Sequence, residues 1–110
     1  MSSLGKATFD GASGKTYRFT VYPWGTRIRK VSGLYVIIHR SHDNTSGYQH
    51  QAIYVGQTED LSQPFDRHHK AQEFGQHGAN CICLHSDDSE DSRLEKERDL
   101  VAAMHPVCND

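Results

Sequence analysis

The chain has 110 residues and a formal net charge of −2, a length that favours a single domain. Hydrophobic residues make up 35% of it, which is enough for one modest core and excludes an intrinsically disordered chain. The longest apolar run, Leu34–Ile38, is far shorter than the ~20 residues that a membrane-spanning helix needs. No signal peptide is recognisable either, so we expect a cytoplasmic protein with no membrane partner.

The near-neutral charge is the sum of two unequal parts. Residues 1–40 carry seven Lys or Arg and one Asp, a net charge of +6, whereas residues 41–110 have a net charge of −8. A basic face could therefore meet a phosphate backbone although the whole chain is weakly acidic. Trp24 lies within the basic part and could either stack on a base or pack inside a hairpin. The side chains that we expect to contact nucleic acid are Arg27, Arg29, Lys30 and Arg40.

The first predicted element is a β-hairpin. Tyr17, Phe19 and Val21 alternate with polar residues, which is the period of a half-buried strand. Turn-forming residues occupy 10–14, so residues 7–9 are expected to pair with this strand as its other arm. We therefore predict that residues 1–31 form an N-terminal β-hairpin extension.

Two antiparallel strands are predicted next. Residues 33–38 are β-branched, aliphatic or aromatic after an initial glycine, which is typical of a central strand covered on both faces. Residues 41–50 are polar and predict a loop, after which residues 52–55 predict the returning strand. The short loop places the two strands side by side.

The remainder of the chain predicts helix, strand and helix. Asp60 or Ser62 could cap a helix over residues 61–74 that Gly75 closes. Residues 80–85 predict a short strand, and residues 89–104 predict a second helix that ends before Pro106.

Glu97 is the most informative residue of this last helix. The predicted apolar stripe contains Leu94, Val101 and Met104, and Glu97 interrupts it at helical spacing. Burial of a charge is costly unless it is paired or bound to a metal. Glu97 is therefore either an edge residue in a salt bridge or a metal-binding or catalytic carboxylate.

Several motifs of this chain, in their order along the sequence, together resemble the GIY-YIG endonuclease domain. The similarity covers about residues 32–109, and we assign residues 32–110 to a GIY-YIG-like domain. Its most specific part is a Glu nine residues before a Pro and twelve residues before an Asn. The matching residues are Gly33-Leu34-Tyr35, Tyr54-Val55-Gly56, the segment 57–61 that follows, and Glu97 with Pro106 and Asn109.

The resemblance implies an α+β fold with a small three-stranded antiparallel β-sheet flanked by helices. It implies a metal-dependent endonuclease that hydrolyses the phosphodiester bonds of nucleic acid, with DNA as the expected form. Tyr35 and Tyr54 would help to activate the nucleophile, through a phenolate or an ordered water. Glu97 would hold one Mg²⁺ or Mn²⁺ ion. Gly33 and Gly56 would shape the motif strands, and Asn109 would fix the chain end near the sheet.

The sequence departs from the family at one position. Family members carry an Arg eight residues after the second motif's Gly, where this chain has Pro64. That Arg neutralises the scissile phosphate, and Arg67, nearly one helical turn later, could substitute for it. His68 lies where many members have a His, and it is either a proton carrier or phosphate ligand, or a surface residue.

Two other interpretations remain open. The domain could be catalytically silent and bind nucleic acid or a protein partner through the same cleft. Because no further targeting module is recognisable, specificity would come from the domain itself, from a homodimer or from a protein partner. A transition-metal site is the other alternative, against simple burial of small thiols. Its ligands would come from Cys81, Cys83, His85, His77, His105 and Cys108.

Overall fold

Five β-strands and two α-helices make up the part of the chain that the computed structural model describes, residues 3–43, 47–63 and 65–109. The strands are β1 (Lys6–Asp10), β2 (Thr16–Pro23), β3 (Gly33–Asp43), β4 (Gly47–Thr58) and β5 (Cys81–Ser86). The helices are α1 (Ala71–Gln76) and α2 (Glu90–Met104), and a 3-10 turn covers Phe65–Arg67. No helix among these residues is long and apolar enough to cross a bilayer.

The strands form one curled antiparallel sheet in the order β1-β2-β5-β3-β4. The predicted three-stranded sheet is therefore wrong. Strands β3, β4 and β5 do pair, but β2 also pairs along β5, from Thr20 opposite Leu84 to Pro23 opposite Cys81. The residues of β5 from Cys81 to Leu84 are all buried, as expected of a strand with both edges paired and both faces covered. The hairpin of β1 and β2 forms as predicted. It is part of the main sheet and not a separate extension, because β2 pairs with β5.

Strand β3 lies between two cores on opposite faces of the sheet. Helix α2 covers one face through Leu100, and α1 covers the other through Phe74. Neither of these side chains has measurable exposure. The prediction of a strand buried on both faces is confirmed. The first core contains Leu34, Val36 and Ile38 of β3, and the second contains Tyr35 and Ile37.

The predicted loop over residues 41–50 is instead largely strand. Strand β3 continues to residue 43 and β4 begins at residue 47, with residues 44–46 of that predicted loop outside the described part of the chain. The Arg40 guanidinium lies 3.6 Å from the centroid of the Tyr48 ring on the opposite strand, and the His42 ring packs edge-on against the same tyrosine. Such cross-strand pairs stabilise a polar ribbon that composition alone assigns to a loop.

The predicted helix over residues 61–74 is also wrong, because that range holds only the 3-10 turn and the start of α1, which continues through Gly75 instead of ending there. Asp60 Oδ1 accepts hydrogen bonds from the backbone N–H and the hydroxyl of Ser62, which gives a local turn that competes with a helical start. The His68 side chain accepts a hydrogen bond from the backbone N–H of Lys70 and occupies that donor just before α1. The Pro64 position of the predicted helix lies outside the described residues.

Helix α2 forms where the sequence predicts it, but with a different inward face. Ser89 Oγ accepts a hydrogen bond from the Ser92 backbone N–H and caps the first turn. Leu94 is 37% exposed, whereas Arg93 is 3% exposed. Burial of Arg93 is possible because Nε donates to Gln57 Oε1 at 3.0 Å and Nη1 donates to the Asp87 carbonyl oxygen at 3.1 Å.

The outer edge of β4 is covered by the end of the chain and by α2. The Ile53 carbonyl accepts a hydrogen bond from the Cys108 backbone N–H at 2.9 Å. Asn109 accepts from the Val55 N–H at 2.7 Å and donates to the Val55 carbonyl at 2.8 Å. The Gln57 N–H donates to the Glu97 carboxylate. Backbone groups of three alternate residues of β4 thus have partners without a neighbouring strand.

Replacement of Asn109 with alanine should remove both hydrogen bonds to Val55. We expect the free energy of unfolding to fall by about 1–3 kcal/mol, because two backbone groups of the edge lose their partner. Urea denaturation measures this change, and light scattering should report increased self-association through the uncovered edge. Val107→Ala is the matched control, since Val107 is 46% exposed. Equal stability of the two variants would contradict the proposed covering of the edge.

Candidate functional site

The two motif tyrosines lie together on the α1 face of the sheet. Tyr35 on β3 and Tyr54 on β4 stack with their ring centroids 6.0 Å apart. Tyr35 is directly opposite Gly56, where an added Cβ would overlap the Tyr35 Cζ and Oη atoms. An added Cβ at Gly33 would overlap the His85 carbonyl oxygen. Both motif glycines are therefore required by close packing, and Gly56 provides the space that the Tyr35 ring occupies.

His68 joins this pair from the segment between the 3-10 turn and α1. The Tyr35 Oη and His68 Nε2 atoms are 3.0 Å apart, and the Lys70 backbone N–H donates to His68 Nδ1 at 3.1 Å. A neutral imidazole has one donor and one acceptor nitrogen, so Nε2 carries the proton and donates to Tyr35 Oη. Burial lowers the pKa of His68, and the nearby charges of His69 and Lys70 lower it further. The neutral ring that this geometry requires is thus favoured near pH 7.

Tyr35 is held as a neutral phenol. Burial raises its pKa far above the usual value for tyrosine, and the charges of Tyr54 and Glu97 raise it further. Because Oη accepts the His68 proton, the Tyr35 hydroxyl hydrogen is directed elsewhere and can be donated to a ligand oxygen. Of the two roles that the family resemblance implies, an ordered water fits this protonation state better than a phenolate.

A recess of about 200 Å³, here named the tyrosine–histidine recess, opens beside this pair. Arg67 is exposed and belongs to its lining, together with Tyr35 and His68. The structure therefore brings three of the predicted catalytic residues to one place. Pro64, the position where the family has its Arg, lies outside the described residues. The rest of the lining is Thr58, Asp60, Gln63 and Phe65.

The fourth and fifth predicted catalytic residues, Tyr54 and Glu97, share a separate open cleft of about 530 Å³ with Asn109. We name it the carboxylate cleft. Burial raises the pKa of Glu97, while the hydrogen bond from the Gln57 N–H and the charge of Arg98 lower it less. Tyr54 connects the two halves of the site, because its ring centroid is also 5.2 Å from that of His68. The candidate site thus straddles the covered edge of β4.

The donor set limits the kind of metal that these residues could hold. Among residues 3–43, 47–63 and 65–109, no three His, Cys, Asp or Glu side chains converge on one point. The alternative Cys and His site is therefore not formed there, and the three cysteines are buried and form no disulfide among these residues. A single carboxylate fits Mg²⁺ or Mn²⁺, which bind proteins through few carboxylates and keep water and phosphate oxygens as further ligands.

Two residues that the sequence did not single out, Lys70 and Arg93, support the site. Lys70 Nζ donates to the Cys108 carbonyl oxygen and lies 5.8 Å from the Tyr54 ring centroid. Arg93 holds the Gln57 side chain, and the Gln57 N–H in turn holds Glu97. The sequence pattern that could have indicated the role of Arg93 is its four-residue spacing from Glu97, which places both residues on one side of a helix.

The predicted basic contacts are dispersed. Arg27, Arg29 and Lys30 are exposed on the loop after β2, and the charge of Lys30 contributes to lowering the pKa of Asp60 in the tyrosine–histidine recess. Arg40 lies five residues after Tyr35 on β3, about 16 Å along the strand, and packs on Tyr48. The structure therefore does not bring Arg40 to the candidate site.

Introduction of a methyl group at Gly56 tests the packing of Tyr35. In Gly56→Ala the new Cβ displaces the Tyr35 ring, so we expect a loss of about 1–3 kcal/mol of stability and a weakened contact with His68. Gly75→Ala is the matched control, because a Cβ there meets nothing within 4 Å. Since Gly75 is helical, that change should raise stability by up to about 1 kcal/mol. Thermal denaturation of both variants measures the difference, and similar melting temperatures would contradict the close packing.

The protonation of His68 gives a pH-dependent prediction. Its pKa is lower in the folded chain than the ~6.5 expected after unfolding, so the unfolded state takes up the proton first as the pH falls. The stability that the wild type has relative to His68→Gln should be complete above pH ~6.5 and should decline below it. Urea titrations at several pH values measure this difference. His77→Gln, at an exposed position, should retain the wild-type pH dependence; loss of the dependence there too would refute the assignment.

Comparisons with known proteins assign this chain to no family. No protein-family model, no curated protein and no solved structure gives a significant match to the chain. The interpretation of the site therefore depends on its own contacts, charges and protonation states.

Proposed function

We propose that this protein is a metal-dependent endonuclease that hydrolyses phosphodiester bonds in nucleic acid, with DNA as the expected substrate. The observation that carries the proposal is the junction at Tyr54. On one side of it lies the neutral Tyr35–His68 hydrogen bond, and on the other lies the half-buried Glu97 carboxylate. All four of these residues, Tyr35, Tyr54, His68 and Glu97, are positions to which the GIY-YIG resemblance gives a role.

The electrostatics of Glu97 support a role for it in cation binding. Its hydrogen bond comes from a peptide N–H, and burial disfavours its charged form. A structural carboxylate would gain more from an ion pair, such as the one between Lys96 and Asp87. A perturbed carboxylate retained in an open cleft is typical of a functional group. A divalent cation there supplies Lewis-acid stabilisation of the charge that develops on the phosphate.

The remaining residues would position the phosphate and the attacking water. The Tyr35 hydroxyl donates to a water or phosphate oxygen in the tyrosine–histidine recess, and His68 fixes the direction of that donation. Arg67 provides a cation at the mouth of the same recess and takes the place of the family's Arg. Asn109 holds the chain end against β4 and thereby shapes the carboxylate cleft.

A catalytically silent binding module is the second candidate. The observation in its favour is that Arg67 is exposed, while Pro64 stands where the family places its phosphate-binding Arg. Such a module would bind nucleic acid or a protein partner without cleavage. A homodimer or a protein partner would supply specificity in either case.

Removal of the Glu97 charge separates the two candidates. We expect the wild type to cleave labelled duplex, single-stranded or branched substrates with Mg²⁺ or Mn²⁺, and Glu97→Gln to be at least about 100-fold slower. Glu95→Gln is the control, because Glu95 is exposed on the same helix and outside the cleft lining; it should keep wild-type activity. Equal cleavage by the wild type and Glu97→Gln would refute the proposal, and absence of cleavage in all three would favour the silent module.

Glu97→Gln is expected to lower activity but not stability. The pKa of Glu97 is raised in the folded chain, so its charged form is disfavoured at pH 7 and its protonated form is favoured at low pH. Glutamine mimics the protonated form, so Glu97→Gln should be as stable as the wild type or more stable at pH 7, with the gap closing near pH 4. Lost activity with retained stability distinguishes a functional carboxylate from a structural one.

A further inference from the structure

A third cavity, of about 590 Å³, lies beside the tyrosine–histidine recess and has no part in the proposed hydrolysis. Its lining includes Trp24 and Arg27 from the loop after β2, and Leu61, Gln63 and Phe65 from the segment after β4. We name it the tryptophan cavity. Two of these residues, Gln63 and Phe65, also line the tyrosine–histidine recess.

Phe65 is the wall between the two spaces. Its ring packs edge-on against the Tyr35 ring with centroids 4.8 Å apart. A ligand on the other side of Phe65 is therefore only about one side chain away from the Tyr35–His68 pair. This separation suits two adjoining parts of one ligand, a phosphate in the recess and its attached group in the cavity.

The tryptophan cavity has the chemistry of a site for a flat aromatic group. Leu61 and Ile82, each 1% exposed, contribute apolar side chains, while half-buried Trp24 and Phe65 add aromatic surface. Trp24 is held in place, because its backbone N–H donates to the Asn80 carbonyl at 3.0 Å and its ring packs against another aromatic ring. Preformed aromatic and aliphatic walls favour stacking of a planar ligand.

The polar groups at the rim of this cavity favour a ligand with hydrogen-bond acceptors on its edge. Gln63 Nε2 donates to Asp60 Oδ2 at 3.1 Å, which fixes the side-chain amide at the rim. Arg27 is exposed and contributes a guanidinium. The described residues that line the cavity include no Asp or Glu, and Asp60, the carboxylate that Gln63 binds, belongs to the lining of the adjoining recess.

We infer that the tryptophan cavity binds one unstacked nucleobase of the strand whose phosphate occupies the tyrosine–histidine recess. This inference rests on the proposed function. Arg27 donates to the edge of that base. Base–aromatic stacking tolerates any base, so the cavity selects unpaired or easily opened strands rather than a particular sequence.

Trp24 is the only tryptophan of the chain, so its fluorescence reports on this cavity directly. Without metal, the protein is titrated with a short single-stranded oligodeoxynucleotide and with an abasic chain of the same number of phosphates. We expect the oligodeoxynucleotide to quench the fluorescence and to bind at least about fivefold more tightly, the lower limit of a stacked base. Equal affinity and equal fluorescence change for the two chains would overturn the inference.

Two exposed arginines that flank Ile28 provide the matched variants, Arg27→Gln and Arg29→Gln. Arg27 lines the tryptophan cavity and Arg29 lines a different cleft, but both changes remove one positive charge. Arg27→Gln should reduce the preference for the base-containing chain, whereas Arg29→Gln should weaken both chains to the same extent. An unchanged preference in Arg27→Gln would place the base outside this cavity.

The outcomes separate this inference from the proposed function. Metal-dependent cleavage by the wild type without any preference for bases would refute the nucleobase cavity and leave the nuclease standing. A clear preference for bases with no cleavage would support the cavity and refute the nuclease in favour of the silent module. Absence of both would refute both proposals.

Discussion

The open edge of β4 is the constraint on which the site depends. An unpaired edge strand presents backbone N–H and C=O groups that require partners or water. Here the partners are the end of the chain and one carboxylate of α2, and these contacts place Asn109 and Glu97 against β4. Because Tyr54 lies on that same strand, closing the edge also places a carboxylate beside the tyrosine pair.

Burial favours the uncharged forms of the titratable groups in the candidate site. Burial keeps Tyr35 as a phenol and His68 neutral, and it opposes the charge of Glu97. Tyr35 and His68 form a hydrogen bond with each other, whereas the Glu97 carboxylate receives a hydrogen bond from one peptide N–H. A bound cation would offset the cost of burying the Glu97 charge. Cation binding and the stability of the fold are therefore coupled at this residue.

The sequence could predict what depends on local spacing. The strand over residues 33–38 and the helix that carries Glu97 follow from patterns within short segments. The pairing of β2 with β5 could not be predicted, because it joins residues about 60 positions apart and no local signal specifies it. Buried Arg93 was missed for a different reason: helical patterning treats arginine as exposed, and its partners come from other elements. The broken helix before α1 depends on side chains, Asp60 and His68, that bond to nearby backbone.

The sheet order has a consequence for how the chain folds. Strand β5 separates β2 from β3, although these two are neighbours in sequence. Until residues 81–86 have been synthesised and inserted, the two hairpins have no strand between them, and each presents an unpaired edge. Pairings of such long sequence separation slow folding and expose partly formed sheets to association with other chains. During synthesis, one short segment late in the chain therefore determines when this protein becomes safe from aggregation.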